Sequence, residues 1–274
     1  MIEDFLALAI EVAREAGDYA YQIHTSDLLI ASKSNEMDLV TQVDERNERV
    51  IHETVLARYP DHSFLGEETG DSPSKRKAEE ASSTMLDRVG VRWIVDPVDG
   101  TVNYAHGLPI WCVSVGVEVD GIVECGVIYN PNLKELFTVQ RGKGAFLNGK
   151  QIFVSKQANP KQALFVTGFP YNIHENPDHT IEQFVSFLNR GFLVRRLGSA
   201  ALDLAYVACG RFDGFWEVGL SPWDSAAGHL MVREAGGDVT HYDGTPYDIY
   251  RKSIVATNGL HHEMILGIIR ETIV

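Results

Sequence analysis

Hydrophobic residues recur every three or four positions at the start of the chain, which is the spacing of one apolar helix face. In residues 2–20 this face consists of Ile2, Phe5, Leu6, Ala9, Ala13, Ala16 and Ala20. A second pattern of this kind runs from about Val43 to Tyr59, and Pro60 is expected to end it. We therefore predict two N-terminal helices, joined by a polar loop over residues 33–44.

Short apolar runs bounded by turn residues predict the first strands, at 62–65 and 92–95. The second strand should stop at residues 96–101, Asp-Pro-Val-Asp-Gly-Thr, because Pro97 and the Asp-Gly pair disfavour its continuation. Residues 70–90 are rich in Ser, Lys and Glu and have no period, which indicates a mobile surface flap. Acidic residues therefore follow both predicted strand ends.

The second half of the chain changes pattern twice. From Ile110 to Val154, strands separated by Asp120-Gly121, Asn130-Pro131 and Asn148-Gly149 predict an antiparallel meander. Beyond Ala163, strands are expected near 164–167, 192–195, 212–217, 237–240 and 253–257, and helices near 179–190, 199–209, 224–235 and 260–271. With no repeat or long linker, we expect one domain over 1–274, with two lobes that meet near 155–163 and mixed sheets layered with helices.

Composition and charge limit the partners. The 274 residues are 45% hydrophobic and 23% charged, which is typical of a globular chain with a large core. Lys and Arg number 24 against 38 Asp and Glu, a formal net charge of -14. So acidic a surface repels phosphate backbones, and we expect no nucleic-acid binding. An anionic substrate would need bound cations that reverse the sign locally.

The cysteines and the N-terminus bear on location. Cys112, Cys125 and Cys209 occur singly, which suits buried thiols in a reducing compartment. Glu3 and Asp4 stand where a signal peptide carries basic residues, and no apolar run approaches the ~18 residues of a spanning helix. We therefore expect a cytoplasmic protein without membrane partners.

Residues 96–101 carry the most chemical information. Two carboxylates, Asp96 and Asp99, flank a turn stiffened by Pro97, and hard cations such as Mg²⁺ prefer oxygen ligands of this kind. Gly100 allows close approach of the backbone to a ligand, and the first amides of a helix beginning at Thr101 can hold a phosphate. An ordinary Asp turn or N-cap explains the bare spacing equally well.

Two further acidic segments are ambiguous alone. Residues 66–68, Gly-Glu-Glu, resemble a solvated loop, and residues 223–228, Trp-Asp-Ser-Ala-Ala-Gly, resemble a helix start with Asp224 as its N-cap. An EF-hand is excluded because Gly107 stands at the twelfth position from Asp96. Zinc is poorly supported because the chain has no HExxH motif, and His261-His262 are expected at an exposed helix start.

Taken together and in order, segments 66–68, 93–104 and 223–228 resemble the three signature segments of the inositol monophosphatase family. Supporting matches lie at Lys33-Ser34, at 38–41 with Asp44, at 198–200 and at 215–217. The resemblance extends from about residue 5 to residue 260, with a flap longer than is usual in the family. It implies a mixed α/β fold, the alternating α-β-α-β-α layered sandwich of the inositol monophosphatase and sugar phosphatase type.

The resemblance also implies a ligand set for two or three Mg²⁺ ions. A first ion would be held by Glu67, Asp96 and the carbonyl of Val98, and a second by Asp96, Asp99 and Asp224. Glu67 would also touch a third, weakly held ion. Glu68 would support the site through water and Lys33 would steady its charge, although Lys33 is equally well explained as a solvated surface residue.

In the implied reaction, the ions activate a water for in-line displacement at phosphorus. Thr101, hydrogen-bonded to Asp44, would relay the proton, and the Gly100 and Thr101 amides would bind phosphoryl oxygens. The positions that face a hydroxylated ring in the family are Ser199, Ala200 and Glu217. Arg195 and Arg196 alternate sides of a predicted strand, so one of them can accept a second phosphate.

The leading hypothesis is therefore a lithium-sensitive, Mg²⁺-dependent phosphomonoesterase that acts on myo-inositol monophosphate. Fructose 1,6-bisphosphate, 3′-phosphoadenosine 5′-phosphate and NADP remain alternative substrates. A noncatalytic regulatory partner protein is a remote alternative. The resemblance further implies a homodimer, although no segment of the sequence indicates the interface.

Overall fold

The structure, a computed structural model, describes residues 1–23, 30–32, 39–72 and 90–273. Lys33 and residues 73–89, most of the expected flap, lie outside this part of the chain. The helices described are α1 (Ile2–Ile23), α2 (Gln42–Arg58), α3 (Thr101–Ala105), α4 (Thr180–Asn189), α5 (Ala200–Ala208), α6 (Pro222–Glu234) and α7 (His262–Ile273). Two short 3₁₀ turns, Ile173–Glu175 and Pro177–His179, precede α4.

The strands form three sheets. They are β1 (Ile30–Ser32), β2 (Leu39–Thr41), β3 (Ser63–Gly66), β4 (Gly70–Ser72), β5 (Val91–Asp99), β6 (Cys112–Val119), β7 (Ile122–Asn130), β8 (Glu135–Gln140), β9 (Gly144–Leu147), β10 (Lys150–Ile152), β11 (Leu164–Thr167), β12 (Leu193–Arg195), β13 (Gly214–Val218), β14 (Asp238–Thr240) and β15 (Ser253–Thr257). The large sheet has the order β10-β9-β8-β7-β6-β5-β3-β4 and the small sheet β12-β11-β13-β15-β14, while β1 pairs with β2.

Most neighbouring strands run antiparallel. The parallel pairs among the described strands are β3 with β5 in the large sheet and β11 with β12 and β13 in the small sheet. Asn148 and Gly149 both have positive φ in a two-residue hairpin between β9 and β10, which is the geometry of a type I′ turn. The predicted meander from β6 to β10 is therefore confirmed.

The elements stack in five layers. Helices α1 and α2 cover one face of the large sheet, where Phe5, Leu8 and Ile51 pack on Trp93 and Val113. Helices α5 and α6 fill the space between the two sheets, and α4 and α7 cover the outer face of the small sheet. This α-β-α-β-α order confirms the fold expected from the sequence. Each helix of the described part is too short or too polar to cross a bilayer.

Most of the described elements follow the sequence predictions, but several differ. Strand β2 lies within the expected polar loop over residues 33–44, and β4 lies at the start of the expected flap over residues 70–90. Strand β5 does not stop at Val95 but continues to Asp99, because a bulge accommodates Pro97 without breaking the pairing with β6. The pair His261-His262 is buried rather than exposed. The two imidazoles bond to the Gln157 carbonyl and to the hydroxyls of Thr240 and Thr257, so they are structural.

Candidate active site

The bulge in β5 brings two carboxylates to one side of the sheet. Asp96 pairs with Ser114 and Asp99 with Cys112, so three steps on β5 match two steps on β6. In a regular strand, residues three apart point to opposite faces. The extra residue restores a common direction, and the Val98 amide donates to Asp96 Oδ1 at 3.0 Å, which holds the turn.

Helix α6 supplies a third carboxylate to the same point. Asp96, Asp99 and Asp224 each offer one oxygen, and these atoms lie within 4.8 Å of one another. Asp224 is not the N-cap expected from the sequence. Ser221 is the N-cap, and Asp224, three residues later, accepts its backbone N–H at 2.6 Å in a capping box. This bond holds the carboxylate at the start of the helix.

Gly100 and Thr101 follow the acidic turn directly. Gly100 has φ 97°, and a Cβ there would lie 2.9 Å from the Ile110 carbonyl oxygen, so glycine is required. Helix α3 begins at Thr101, as expected. The Thr101 hydroxyl lies 3.0 Å from Asp44 Oδ1 and 3.0 Å from the Val98 carbonyl, and its single proton bonds one of them at a time.

Asp99 is the most firmly held of the carboxylates. Its Oδ2 atom accepts the Ser199 hydroxyl at 2.6 Å and the Ala201 amide at 2.8 Å, and the Cys112 thiol lies 3.7 Å away. The Ser199 hydroxyl proton is thus directed to Asp99. These contacts tie the end of β5 to the first turn of α5, which lies between the sheets.

The carboxylates share one cavity of about 270 Å³. Its lining comprises Glu67, Asp96, Val98, Asp99, Gly100, Thr101, Tyr171, Gly219, Ser221, Trp223 and Asp224. We call it the acidic cavity. It brings together every metal-ligating residue expected from the sequence, and among the described residues that line it there is no Lys or Arg. Glu68 belongs to the same turn as Glu67, and its amide donates to Glu48 at 2.7 Å.

Burial and mutual repulsion disfavour the charged forms of these acids. Burial raises the pKa of Asp96 well above its usual value, and the charges of Glu67, Asp99 and Asp224 raise it further. Burial likewise raises the pKa of Asp99 to about 6, although the bonds from Ser199 and Ala201 oppose the shift. The pKa of Asp224 is raised by burial and by Asp99 and Glu67. A cation bound among them would relieve this cost.

A larger cavity of about 530 Å³ adjoins the acidic cavity. The two share Asp99, Gly100, Tyr171, Gly219 and Asp224 in their linings. Three further residues expected from the sequence line the larger one, namely Ser199, Ala200 and Glu217. We call it the alcohol cavity. Burial raises the pKa of Glu217 to about 8, opposed by the charge of Arg196 and reinforced by that of Asp99.

The structure resolves the choice between the two arginines. Both side chains are exposed, but only Arg196 lines the alcohol cavity, with its guanidinium 5.8 Å from the centre of the Phe169 ring, whereas Arg195 bonds the Val194 carbonyl. Arg196 is therefore the one of the two arginines that lines this cavity.

Two buried acids near these cavities are not predicted from the sequence. Glu48 follows Asp44 by one helical turn, and this spacing alone could have indicated a shared face. Asp203 is the one acid in the apolar helix α5, and its carboxylate oxygens have no hydrogen-bond partner among the described residues. Burial and the neighbouring Glu217 raise the pKa of Asp203 well above its usual value, which favours the neutral acid.

The donor set fits a hard divalent cation. It consists of carboxylate oxygens and one main-chain carbonyl, which is the ligand chemistry of Mg²⁺, Mn²⁺ and Ca²⁺ rather than of zinc. Cations bound to this buried acidic cluster would reverse its charge and attract an anionic substrate. The adjoining cavity has room for the polar remainder of such a substrate. Fold and site together thus define a layered α/β protein with a carboxylate cluster that can hold a metal ion.

Comparison with known proteins identifies the family. The model of the inositol monophosphatase family matches residues 1–273. An inositol-1-monophosphatase of Synechocystis sp. is 40% identical over 269 residues, covering 96% of this chain and 87% of that protein. The Nus factor SuhB of Escherichia coli K12 is 41% identical over 254 residues, covering 92% of this chain and 91% of that protein.

The solved structure of inositol monophosphatase from Anabaena (Nostoc) sp. PCC 7120 superposes with a TM-score of 0.84. It is 39% identical, and the match covers 99% of this chain and 97% of that one. The chain therefore belongs to the inositol monophosphatase family, and it is a phosphomonoester hydrolase.

Proposed function

We propose that this protein hydrolyses myo-inositol monophosphate to myo-inositol and phosphate in a Mg²⁺-dependent reaction. The observation that carries the proposal is the convergence of Asp96, Asp99 and Asp224 within 4.8 Å beside a cavity lined by Glu217. Glu67, Asp96 and the Val98 carbonyl would hold one ion, and Asp96, Asp99 and Asp224 a second. When bound, such ions supply Lewis-acid chemistry that acidifies water and neutralises phosphate oxygens.

The chain's own groups would orient the reaction. A Thr101 hydroxyl that donates to Asp44 keeps its lone pairs free to accept a proton from the attacking water, which fixes the water's direction. The Gly100 and Thr101 amides lie at the cavity lining, where they would donate to phosphoryl oxygens. Displacement by water then needs no covalent enzyme intermediate.

The alcohol cavity supports a polyol leaving group. Ser199, Ala200 and Glu217 present small or hydrogen-bonding surfaces to it. Arg196 keeps a second candidate open, a bisphosphate or a nucleotide such as fructose 1,6-bisphosphate, 3′-phosphoadenosine 5′-phosphate or NADP. Arg196 and Lys252 both line this cavity, so a second phosphate has basic partners there. The uncharged polyol is favoured because Glu217, whose raised pKa favours the neutral acid, can both donate to and accept from substrate hydroxyls.

A substrate panel tests the proposal. Phosphate release from inositol 1-phosphate and from each alternative is measured with and without Mg²⁺, and with added Li⁺. We expect the highest kcat/KM for inositol phosphate, no turnover without Mg²⁺, and inhibition by Li⁺. A higher kcat/KM for any alternative would replace inositol phosphate as the substrate, and turnover unchanged by metal removal would overturn the metal site.

A homodimer is also part of the proposal. On α4, Ile181, Val185 and Leu188 lie on one face and are 46%, 44% and 47% exposed, and Leu193 on the edge strand β12 is 49% exposed. An exposed apolar stripe beside a sheet edge suits a second copy of the chain. Sedimentation should give a dimer for the native protein and a monomer for Val185→Glu.

Two further expectations belong here. Cys112, Cys125 and Cys209 are free thiols, and Cys112 and Cys125 are buried, which supports a cytoplasmic location. Several relatives are named Nus factor SuhB, so a regulatory protein partner remains a second role that can coexist with catalysis. Normal turnover together with tight binding to such a partner would establish both.

A further inference from the structure

Glu48 on helix α2 has no place in the site described so far. Its side chain is completely buried, one helical turn after Asp44, and it does not line either cavity. A buried carboxylate is retained only where its oxygens are satisfied, so its partners indicate what it does.

Those partners are the backbone amides of the turn that carries Glu67. Glu48 Oε2 accepts the Glu68 N–H at 2.7 Å, and Oε1 accepts the Thr69 N–H at 2.7 Å. The same carboxylate occupies the space beside Gly66, where a Cβ would lie only 2.4–2.5 Å from its atoms. The Glu48 carboxylate thus fills the inside of the turn over residues 66–69.

The turn is held on its other side by the large sheet. Gly66 pairs with Val95 in the parallel ladder of β3 and β5, and the Glu67 amide donates to the Val95 carbonyl at 3.3 Å. Glu67 therefore follows the end of β3, next to the point where Asp96 follows Val95 on β5. The hydrogen bonds that the Glu68 and Thr69 amides donate to Glu48 determine the path of the chain just beyond Glu67. A change of that path would rotate the Glu67 carboxylate away from the acidic cavity.

The chemistry requires a carboxylate at position 48. Two N–H donors bind two different oxygens of Glu48, and a carboxylate offers an acceptor at both. A glutamine would keep one acceptor and turn its NH₂ group toward the second amide. The native side chain is therefore suited to hold these two amides and not merely to fill space.

We infer that Glu48 is a positioning residue for Glu67 and sets the affinity of the acidic cavity for its metal ion. The inference rests on the proposed metal site. One face of α2 thus supports two parts of the site. Asp44 accepts the Thr101 hydroxyl, and Glu48 holds the turn that carries Glu67. Substitution of such supporting groups typically weakens metal binding by about 10- to 100-fold.

The chain offers a matched control at Glu234. Its two carboxylate oxygens accept the backbone amides of Gly142 and Gly144 at 2.8 and 2.9 Å, in a turn that lines neither cavity. Glu234→Gln removes the same kind of interaction from a remote turn. Any loss common to both variants reflects general stability, and any loss confined to Glu48→Gln reflects the site.

The experiment titrates Mg²⁺ into the metal-stripped full-length protein by calorimetry, with the Mg²⁺ dependence of phosphate release as a second readout. We expect Glu48→Gln to raise the dissociation constant by about 10-fold or more, with kcat recovering at saturating Mg²⁺. Glu234→Gln should bind Mg²⁺ as the native protein does. A Glu48→Gln protein that is folded and binds Mg²⁺ within twofold of native overturns the inference.

A double-mutant cycle tests the contact from the other side and serves if Glu48→Gln fails to fold. Gly66→Ala should weaken Mg²⁺ binding in the native background, because its Cβ displaces the Glu48 carboxylate. In the Glu48→Ala background the same change should have little further effect. Independent, additive losses would contradict the inference. Absence of Mg²⁺ binding by the native protein would instead overturn the proposed function, and this inference with it.

Discussion

The acidic cavity and the alcohol cavity both have Asp99, Gly100 and Asp224 in their linings, but they differ in the basic residues that accompany these acids. In the acidic cavity, carboxylates accumulate with no basic side chain among the described lining residues. In the alcohol cavity, the basic residues Arg196 and Lys252 stand beside Glu217 and Asp203, whose raised pKa values favour the neutral acids. The first arrangement demands a cation from solution, whereas the second has basic side chains of its own. We infer that the acidic cavity determines the reaction and the alcohol cavity determines the substrate.

Among these tests, Asp96→Asn is expected to lower activity the most. Asp96 is the proposed ligand of two ions, and loss of its charge would remove its attraction for both cations. We expect kcat/KM to fall by roughly 10³-fold, the scale of a lost electrostatic contact to the transition state. Phosphate release and Mg²⁺ calorimetry measure the effect. Asp243→Asn, an exposed acid paired with Arg251, is the control, and activity above a tenth of native would contradict the assignment.

Thr101→Ala should separate orientation of water from metal binding. Removal of the hydroxyl that bonds Asp44 should lower kcat by about 10²-fold, at the lower end of the range for a positioned proton carrier. Mg²⁺ affinity should stay near native because the carboxylates are intact. Thr101→Ser keeps the hydroxyl and should restore most of the rate. Equal losses for Ala and Ser would show that packing, and not proton transfer, explains the effect.

Glu217→Gln should act on the alcohol cavity alone. Because glutamine keeps one carbonyl acceptor but replaces the second oxygen by an NH₂ group, the KM for inositol phosphate should rise by about 10-fold at most, the equivalent of one hydrogen bond between neutral groups. kcat and the KM for p-nitrophenyl phosphate, which has no polyol, should remain near native. Steady-state kinetics with both substrates give the answer, and parallel changes for the two would assign Glu217 to the reaction instead.

The smallest expected effect is a change in the free energy of unfolding with pH. Because the pKa of Glu217 is about 8 in the folded protein and 4.5 is its ordinary value, the folded state binds more protons between these values. Stability from this group is therefore lost as the pH rises from about 4.5 to 8, by a few kcal/mol at most. The free energy of unfolding should fall more steeply over that window for the native protein than for Glu217→Gln. Identical slopes would show that Glu217 is not shifted.

The N-terminal helix and the meander could be predicted from the sequence, whereas the bulge in β5 could not. Helix α1 was predictable because the apolar period over residues 2–20 is local, and the meander because its turn residues are local. The acidic segments were found through their family resemblance, and the structure places Glu67, Asp96, Asp99 and Asp224 at one cavity. The bulge was missed because proline suggests an end to a strand, while pairing with β6 carries β5 past it.

The supporting contacts were beyond the sequence for a different reason. Glu48 is an ordinary polar helix residue until the turn that follows β3 lies against α2 and presents two amides to it. Likewise, the burial that shifts the pKa of Glu217 arises only when β13 lies beside β15 beneath the alcohol cavity. Apart from the one-turn spacing of Asp44 and Glu48, the sequence carries no local signal for these groups because their partners are far away along the chain.

The amino-acid sequence alone determined the periodic elements, the acidic character of the chain and the three segments that carry its carboxylates. Those properties follow from residue types at short spacing, which act before any long-range contact forms. Only the tertiary structure decided which oxygens meet, which arginine faces the alcohol cavity and which buried acid holds the turn of Glu67. Distances between remote segments depend on how sheets and helices pack, and this packing sets both the local charge and the direction of each ligand.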